Sequence, residues 1–144
     1  MVTAEFVTLP GTARAAGVAR HWVALVLEAA GCLGVDEVLL VTSELVGNAV
    51  RHTRSGGPGG VILMVVKQEG AAVRIEVVDE GSETVPCPRV PDGLTLSGRG
   101  LWLVEELSET WGVRAAGGRR RTVWAVMPMS YRRDGRMARE GAWA

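Results

Sequence analysis

A carboxylate and an amide stand four residues apart at Glu44 and Asn48, inside the stretch ELVGNAVRHT that runs from residue 44 to residue 53. On a helix, positions i and i+4 share a face. The pair would therefore offer two oxygen atoms to one object. Hard oxygens suit Mg²⁺, which commonly takes one or two protein ligands and completes its shell with phosphates and water. A carboxylate beside such a metal is also placed to act as a base. Arg51 and His52 follow on or beside the same stripe. Gly47 costs a helix about 1 kcal/mol relative to Ala, and Asn is a poor interior helix former. Gly47 would remove a side chain where close approach is needed. Read alone, the same residues describe a solvated helix end.

A second candidate lies in VRIEVVDEGSE. Strand alternation puts Val73, Ile75, Val77 and Asp79 on one side, and Arg74, Glu76 and Val78 on the other. Asp79 thus ends an all-apolar face. A carboxylate there is costly unless it meets hydrogen-bond donors. The exocyclic amine of adenine is such a donor. Asp79 capping its own turn is the competing reading, and Gly81 permits the tight turn. A third candidate is SGRGLWLVEEL, where Gly98 and Gly100 flank Arg99 before an amphipathic helix. Glycine-rich turns at helix starts present backbone N–H groups to phosphate. The spacing is neither a P-loop nor a dinucleotide fingerprint.

The elements that must carry these residues follow from the pattern. EFVTLP reads as a first strand ended by Pro10. Thr12 caps a helix running to about Ala30, with Gly31 as its stop. Its apolar stripe is Ala15, Val18, Ala19, Trp22, Val26 and Ala29 or Ala30. Asp36 caps a second helix from about Glu37 to His52, broken by TRSGGPGG. VILMVVKQE and AAVRIEVVD form an antiparallel hairpin around Gly70. From Glu80 to Leu96 three prolines and two glycines remove all periodicity, and a loop of that length reads as functional or mobile; Ser82 to Leu96 is the candidate lid. GRGLWLVEELS restarts a helix, and TWGVRA and RTVWAVMP close with a hairpin. The order β, α, α, β, β, loop, α, β, β predicts an α+β fold with helices on one face of a sheet. The domain is expected over residues 1–130, with 131–144 a flexible tail.

Composition narrows the partners. The 144 residues are 47% apolar and carry 16 basic and 16 acidic side chains, a net charge of zero. A general nucleic-acid binder would carry a basic excess, so no direct nucleic-acid partner is expected. Of the basic residues only Lys67 is lysine. Cys32 and Cys87 lack zinc spacing and read as reduced thiols. No signal-peptide pattern and no membrane-length apolar run is present, so the expectation is a cytoplasmic, non-membrane protein.

Taken in order, the three motifs are similar to those of the nucleotide-binding domain shared by gyrase, heat-shock chaperone, histidine kinase and MutL ATPases. ELVGNAVRH resembles the N box, DEG at Asp79 to Gly81 the G1 box, and GRGLWLV the G2 box. RTVWAVMP resembles the closing strand. The resemblance spans about residues 5 to 129. It implies a two-layer α/β sandwich of the Bergerat (histidine kinase-like ATPase) type, with a mixed, mostly antiparallel sheet and helices on one face. Length and motif detail resemble the RsbW-type branch, the bacterial anti-sigma-factor serine/threonine kinases and their actinobacterial relatives.

That resemblance implies ATP and Mg²⁺ as ligands. Asn48 would coordinate the metal, and Glu44 would activate the attacking hydroxyl or water. Asp79 would accept from the adenine amine and Gly81 make room for the ring. Gly98, Arg99, Gly100 and Leu101 would form the phosphate-side lip, and Thr122 would support the Asp79–adenine pair. Arg51 and His52 are placed near the phosphates by helical spacing. The second G1 glycine falls at Glu83, a departure that bears on how the loop folds over nucleotide. The implied function is a kinase that binds a sigma factor and phosphorylates an anti-anti-sigma (STAS-type) antagonist. The alternative is a non-catalytic, ATP-dependent protein-binding switch. A homodimer through the first strand and helix is also implied. A stand-alone histidine kinase is disfavoured, with His21 read as structural.

Overall fold

A computed structural model describes residues 2–82 and 99–132. Five strands form one sheet: β1 (Val2–Pro10), β3 (Val61–Glu69), β4 (Ala72–Asp79), β6 (Arg121–Pro128) and β5 (Thr110–Ala115), in that spatial order. Every pairing in it is antiparallel, so the sheet lies at the antiparallel end of the expectation. Helices α1 (Ala15–Ala29), α2 (Asp36–His52) and α3 (Arg99–Leu107) accompany it. The short strands β2 (Cys32–Leu33) and β7 (Ser130–Tyr131) pair with each other.

The core lies between the helices and one sheet face. Ile62, Met64 and Val66 on β3 alternate inward with Val73, Ile75 and Val77 on β4 and Val123, Ala125 and Met127 on β6. From the helices come Ala15, Ala19, Val23 and Leu27 of α1, Val38, Val41, Leu45 and Val46 of α2, and Leu101 and Val104 of α3. The α1 stripe is rotated from the sequence expectation. Positions 15, 19, 23 and 27 step by four residues along one line, whereas Val18 is 50% exposed and Trp22 and Val26 are half-buried beside the core. His21 is exposed, so it fills no core position.

Helix starts also differ in detail. Thr12 lies before α1, its Oγ1 accepting from the Arg14 N–H at 3.4 Å, and Arg14 is the cap. Asp36 is the first residue of α2 and not its cap, which is Val35. Asp36 and Glu37 act through charge on the helix dipole instead, and Arg51 and His52 complement it at the other end. The body reaches Arg132, whose N–H donates to Gly31 O at 2.8 Å. The expected tail boundary at residue 131 therefore falls inside a paired strand. Residues 133–144 lie outside those described, as do Glu83 and the lid from residue 83 onward.

The opposite sheet face has no covering layer among the described residues. Cross-strand register lines up Phe6, Val65, Glu76 and Trp124 there. Glu76 is nonetheless 4% exposed. Lys67, Arg74 and Arg114 close over it at 3.2, 2.6 and 3.6 Å, and Arg74 stacks on the Trp124 ring at 4.3 Å.

Candidate functional site

The site is built where the end of α2 meets the end of β4. Glu44 and Asn48 are half-buried on α2, one turn apart as the spacing predicted. Asn48 Oδ1 accepts from Arg51 Nη2 at 3.1 Å. Its Nδ2 is buried with no hydrogen-bond partner among the described residues. A Cβ at Gly47 would lie 2.8 Å from Arg51 Nη1, the far end of a flexible side chain. The close approach it permits is that of the guanidinium. Among the described residues, no hydrogen bond or ion pair orients the Glu44 carboxylate. His52 is exposed, and burial, then the Arg51 charge, holds its imidazole below the ordinary value.

Asp79 ends the core face of β4 and is 2% exposed. Its Oδ1 accepts from the Gly81 N–H at 2.7 Å and lies 3.4 Å from Arg121 Nε. Burial pushes the Asp79 carboxyl above the usual carboxylate range, and the Gly81 N–H and the Arg121 guanidinium offset only part of that. Register explains the Arg121 contact. Asp79 pairs with Arg121, while Val78 pairs with Thr122. Directly paired residues share a face, so Arg121 joins Asp79 under the helices and Thr122 belongs to the open face. Thr122, beside Val78, is buried at 2%. The arginine was missed because strand parity across two hairpins is needed to see it.

Gly81 has φ +87°, and a Cβ would come within 2.0 Å of Arg119 O. What it makes room for in this structure is the backbone of the β5–β6 connection. Leu101 sends its side chain into the core, so any phosphate contact there is left to the backbone. Arg99 and Gly100 open α3 as expected, and Gly98 lies outside the described residues.

A residue that sequence reasoning passed over joins the two halves. Ser55 sits in the 3-10 turn Arg54–Gly56 and is fully buried. Its Oγ accepts from the Glu80 N–H at 2.9 Å, and the adjacent Arg54 N–H donates to Gly81 O at 3.0 Å. Thr53 closes the same turn, accepting from Ser55 N at 3.0 Å and donating to Ala49 O at 2.6 Å. Side chains at Gly11, Gly56 or Gly60 would collide with the backbone around Ser55 or Val50. The glycine-rich run that reads as a simple breaker is thus a packed knot. It ties the Asn48 helix to the Asp79 turn.

These residues fit an adenine nucleotide with a divalent cation. Asn48 Oδ1 is an oxygen already receiving a cation, and an orphaned Nδ2 accompanies it. Among the described residues no group of three or more His, Cys, Asp or Glu could hold a metal. A lone amide oxygen suits Mg²⁺ with phosphates and water completing its shell. Asp79 is a buried acceptor at a tight glycine turn, the chemistry an exocyclic amine needs. A one-sided α+β sandwich with such a site defines a nucleotide-binding domain. The chain belongs to the histidine kinase-like ATPase domain family, whose family model matches residues 9–127. Domains of this family bind ATP. A search of curated proteins gave no match. Among the described residues no helix is long and apolar enough to cross a membrane.

Proposed function

We propose that this chain is an ATP-dependent protein serine/threonine kinase of the anti-sigma-factor type. It would hold a sigma factor and phosphorylate a small STAS-type antagonist. The observation that carries this reading is the shared face of Glu44 and Asn48, tied by the Ser55 turn to buried Asp79. Asp79 would accept from the adenine amine. Asn48 Oδ1 would hold Mg²⁺, which when bound would neutralise charge on the phosphates. Glu44 would take the proton of the incoming Ser or Thr hydroxyl. The hydroxyl oxygen bonds to the γ-phosphorus, the bond to the bridging oxygen breaks, and ADP leaves with the electron pair. Arg51 and His52, one turn further along, are placed toward the phosphates. Protein partners, a homodimer and a cytoplasmic location belong to the same proposal.

The second reading is a binding switch in which nucleotide orders a partner surface without transfer. One observation favours it: no described residue orients Glu44, whereas a working base is ordinarily held by a neighbour. Incubation with labelled ATP and STAS-type proteins separates the two. For the kinase, Glu44→Ala loses phosphate transfer by about a hundredfold or more while retaining nucleotide, and Asn48→Ala loses both. ATP binding without transfer to any such protein, with the Glu44→Ala chain still switching its partner, would leave only the switch.

A further inference from the structure

Arg51 emerges from α2 one turn after Gly47. Helical side chains lean back over the preceding turn, and here the guanidinium comes to rest over Gly47 and against Asn48. Nη1 lies 2.8 Å from where a Gly47 Cβ would stand, and Nη2 donates to Asn48 Oδ1 at 3.1 Å. A guanidinium only donates, so the amide oxygen must face it. The amide nitrogen is then the group left buried and unpaired among the described residues. Arg51 is itself exposed and has no carboxylate partner among the described residues. Its positive charge is therefore placed on an amide oxygen and not neutralised there.

We infer that Arg51 is a resident cation that occupies the metal-holding oxygen of Asn48 in the nucleotide-free chain, with Gly47 as its berth. The inference rests on the nucleotide reading of this site and adds a regulation to it. A divalent cation alone must displace a like charge from Oδ1, which disfavours its entry. A polyphosphate arriving with the metal brings the negative charge that offsets both cations. Metal and nucleotide then bind as a coupled pair, each raising the affinity of the other.

Mn²⁺ binding measured by electron paramagnetic resonance, on the full chain without nucleotide, is the test. Two variants remove the guanidinium from Oδ1 by different routes. Arg51→Gln removes the charge. Gly47→Ala occupies the berth and is favoured by helix propensity, and only the far end of a flexible side chain must move to admit it. Both are expected to raise the affinity for Mn²⁺ alone by about tenfold. Both should also shrink the factor by which ATP raises Mn²⁺ affinity. Adding Asn48→Ala should abolish the gain, and urea melts verify that each variant is folded.

Unchanged Mn²⁺ affinity in both folded variants overturns the inference, as does a gain that survives Asn48→Ala. Titration with a fluorescent ATP analogue, comparing the wild-type chain and Asp79→Asn, reads the nucleotide proposal separately. Analogue binding without the Mn²⁺ gain removes the resident-cation inference alone. The Mn²⁺ gain without analogue binding removes the nucleotide proposal and keeps the displaced cation.

Discussion

At the scale of single residues, Asp79 carries the clearest conflict between stability and use. Its carboxyl is buried at 2% exposure and is held above the ordinary carboxylate range chiefly by that burial. The folded chain thus binds a proton on Asp79 more readily than the unfolded chain does. Between the ordinary value of 3.8 and the raised folded value, stability falls as pH rises. Comparing wild type with Asp79→Asn by urea denaturation across pH isolates this effect. The wild-type chain should gain on the variant as pH falls through the raised value. Asp79→Asn is also expected to weaken ATP binding by at least about tenfold, since an amide turned to accept from Gly81 presents the wrong group to the adenine amine. A pH-independent difference between the two chains would show that burial does not govern this carboxyl. The carboxylate at the end of an apolar face was legible from strand alternation. Its ion pair with Arg121 was not, because that partner is set by register over more than forty intervening positions.

At the scale of elements, the Thr53–Gly60 turn is what makes α2 and β4 one site. Ser55→Ala removes the buried acceptor of the half-buried Glu80 N–H. An orphaned buried donor costs about 1–3 kcal/mol, and thermal or urea unfolding should register that loss. The same variant should speed hydrogen exchange at the Glu80 amide and raise the Kd for ATP, with Glu44, Asn48 and Asp79 all unaltered. Unchanged exchange at Glu80 would mean that the hydroxyl does not hold this turn. In the sequence TRSGGPGG announced only that the helix stops. Gly56 and Gly60 leave room for the nearby Val50 and Ser55 carbonyls, and the distant Gly11 packs against that same Ser55 carbonyl.

At the scale of the whole molecule, the sheet has a helical layer on one face and a charged arrangement on the other. Glu76 is buried on that second face under Lys67, Arg74 and Arg114. Burial is the largest single influence and raises its pKa, yet hydrogen bonds and charges from Arg74 and Lys67 together bring it below the ordinary 4.5. A lowered carboxyl contributes stability that is present above pH 4.5 and lost as pH falls through the folded value. Glu76→Gln should therefore destabilise the chain at pH 7 by about 1 kcal/mol, toward the low end because its three partners are partly exposed. The difference from wild type should shrink as the pH drops below 4.5. A deficit that persists in acid would point to packing and not charge. The cluster spans three strands, β3, β4 and β5, so it also joins the first hairpin to the sheet edge.

Local chemistry sets the limit between what could be read beforehand and what had to be seen. Helical and strand periods, glycine and proline breaks and the order of motifs are properties of neighbours in the chain. They were enough for the α+β class, the α2 face that Glu44 and Asn48 share, and the hairpins around Gly70 and Gly117–Gly118. Which way α1 turns and which residue opposes Asp79 depend on packing between distant segments, whereas what lies over Gly47 is a side chain one turn on in the same helix. A one-residue change of parity moves a side chain across the sheet, as Arg121 and Thr122 show. The stretch ELVGNAVRHT by itself indicated a helix end able to offer oxygens to a cation. Folding placed Arg51 on the Asn48 oxygen, because a helical side chain settles where the preceding turn leaves space and an acceptor.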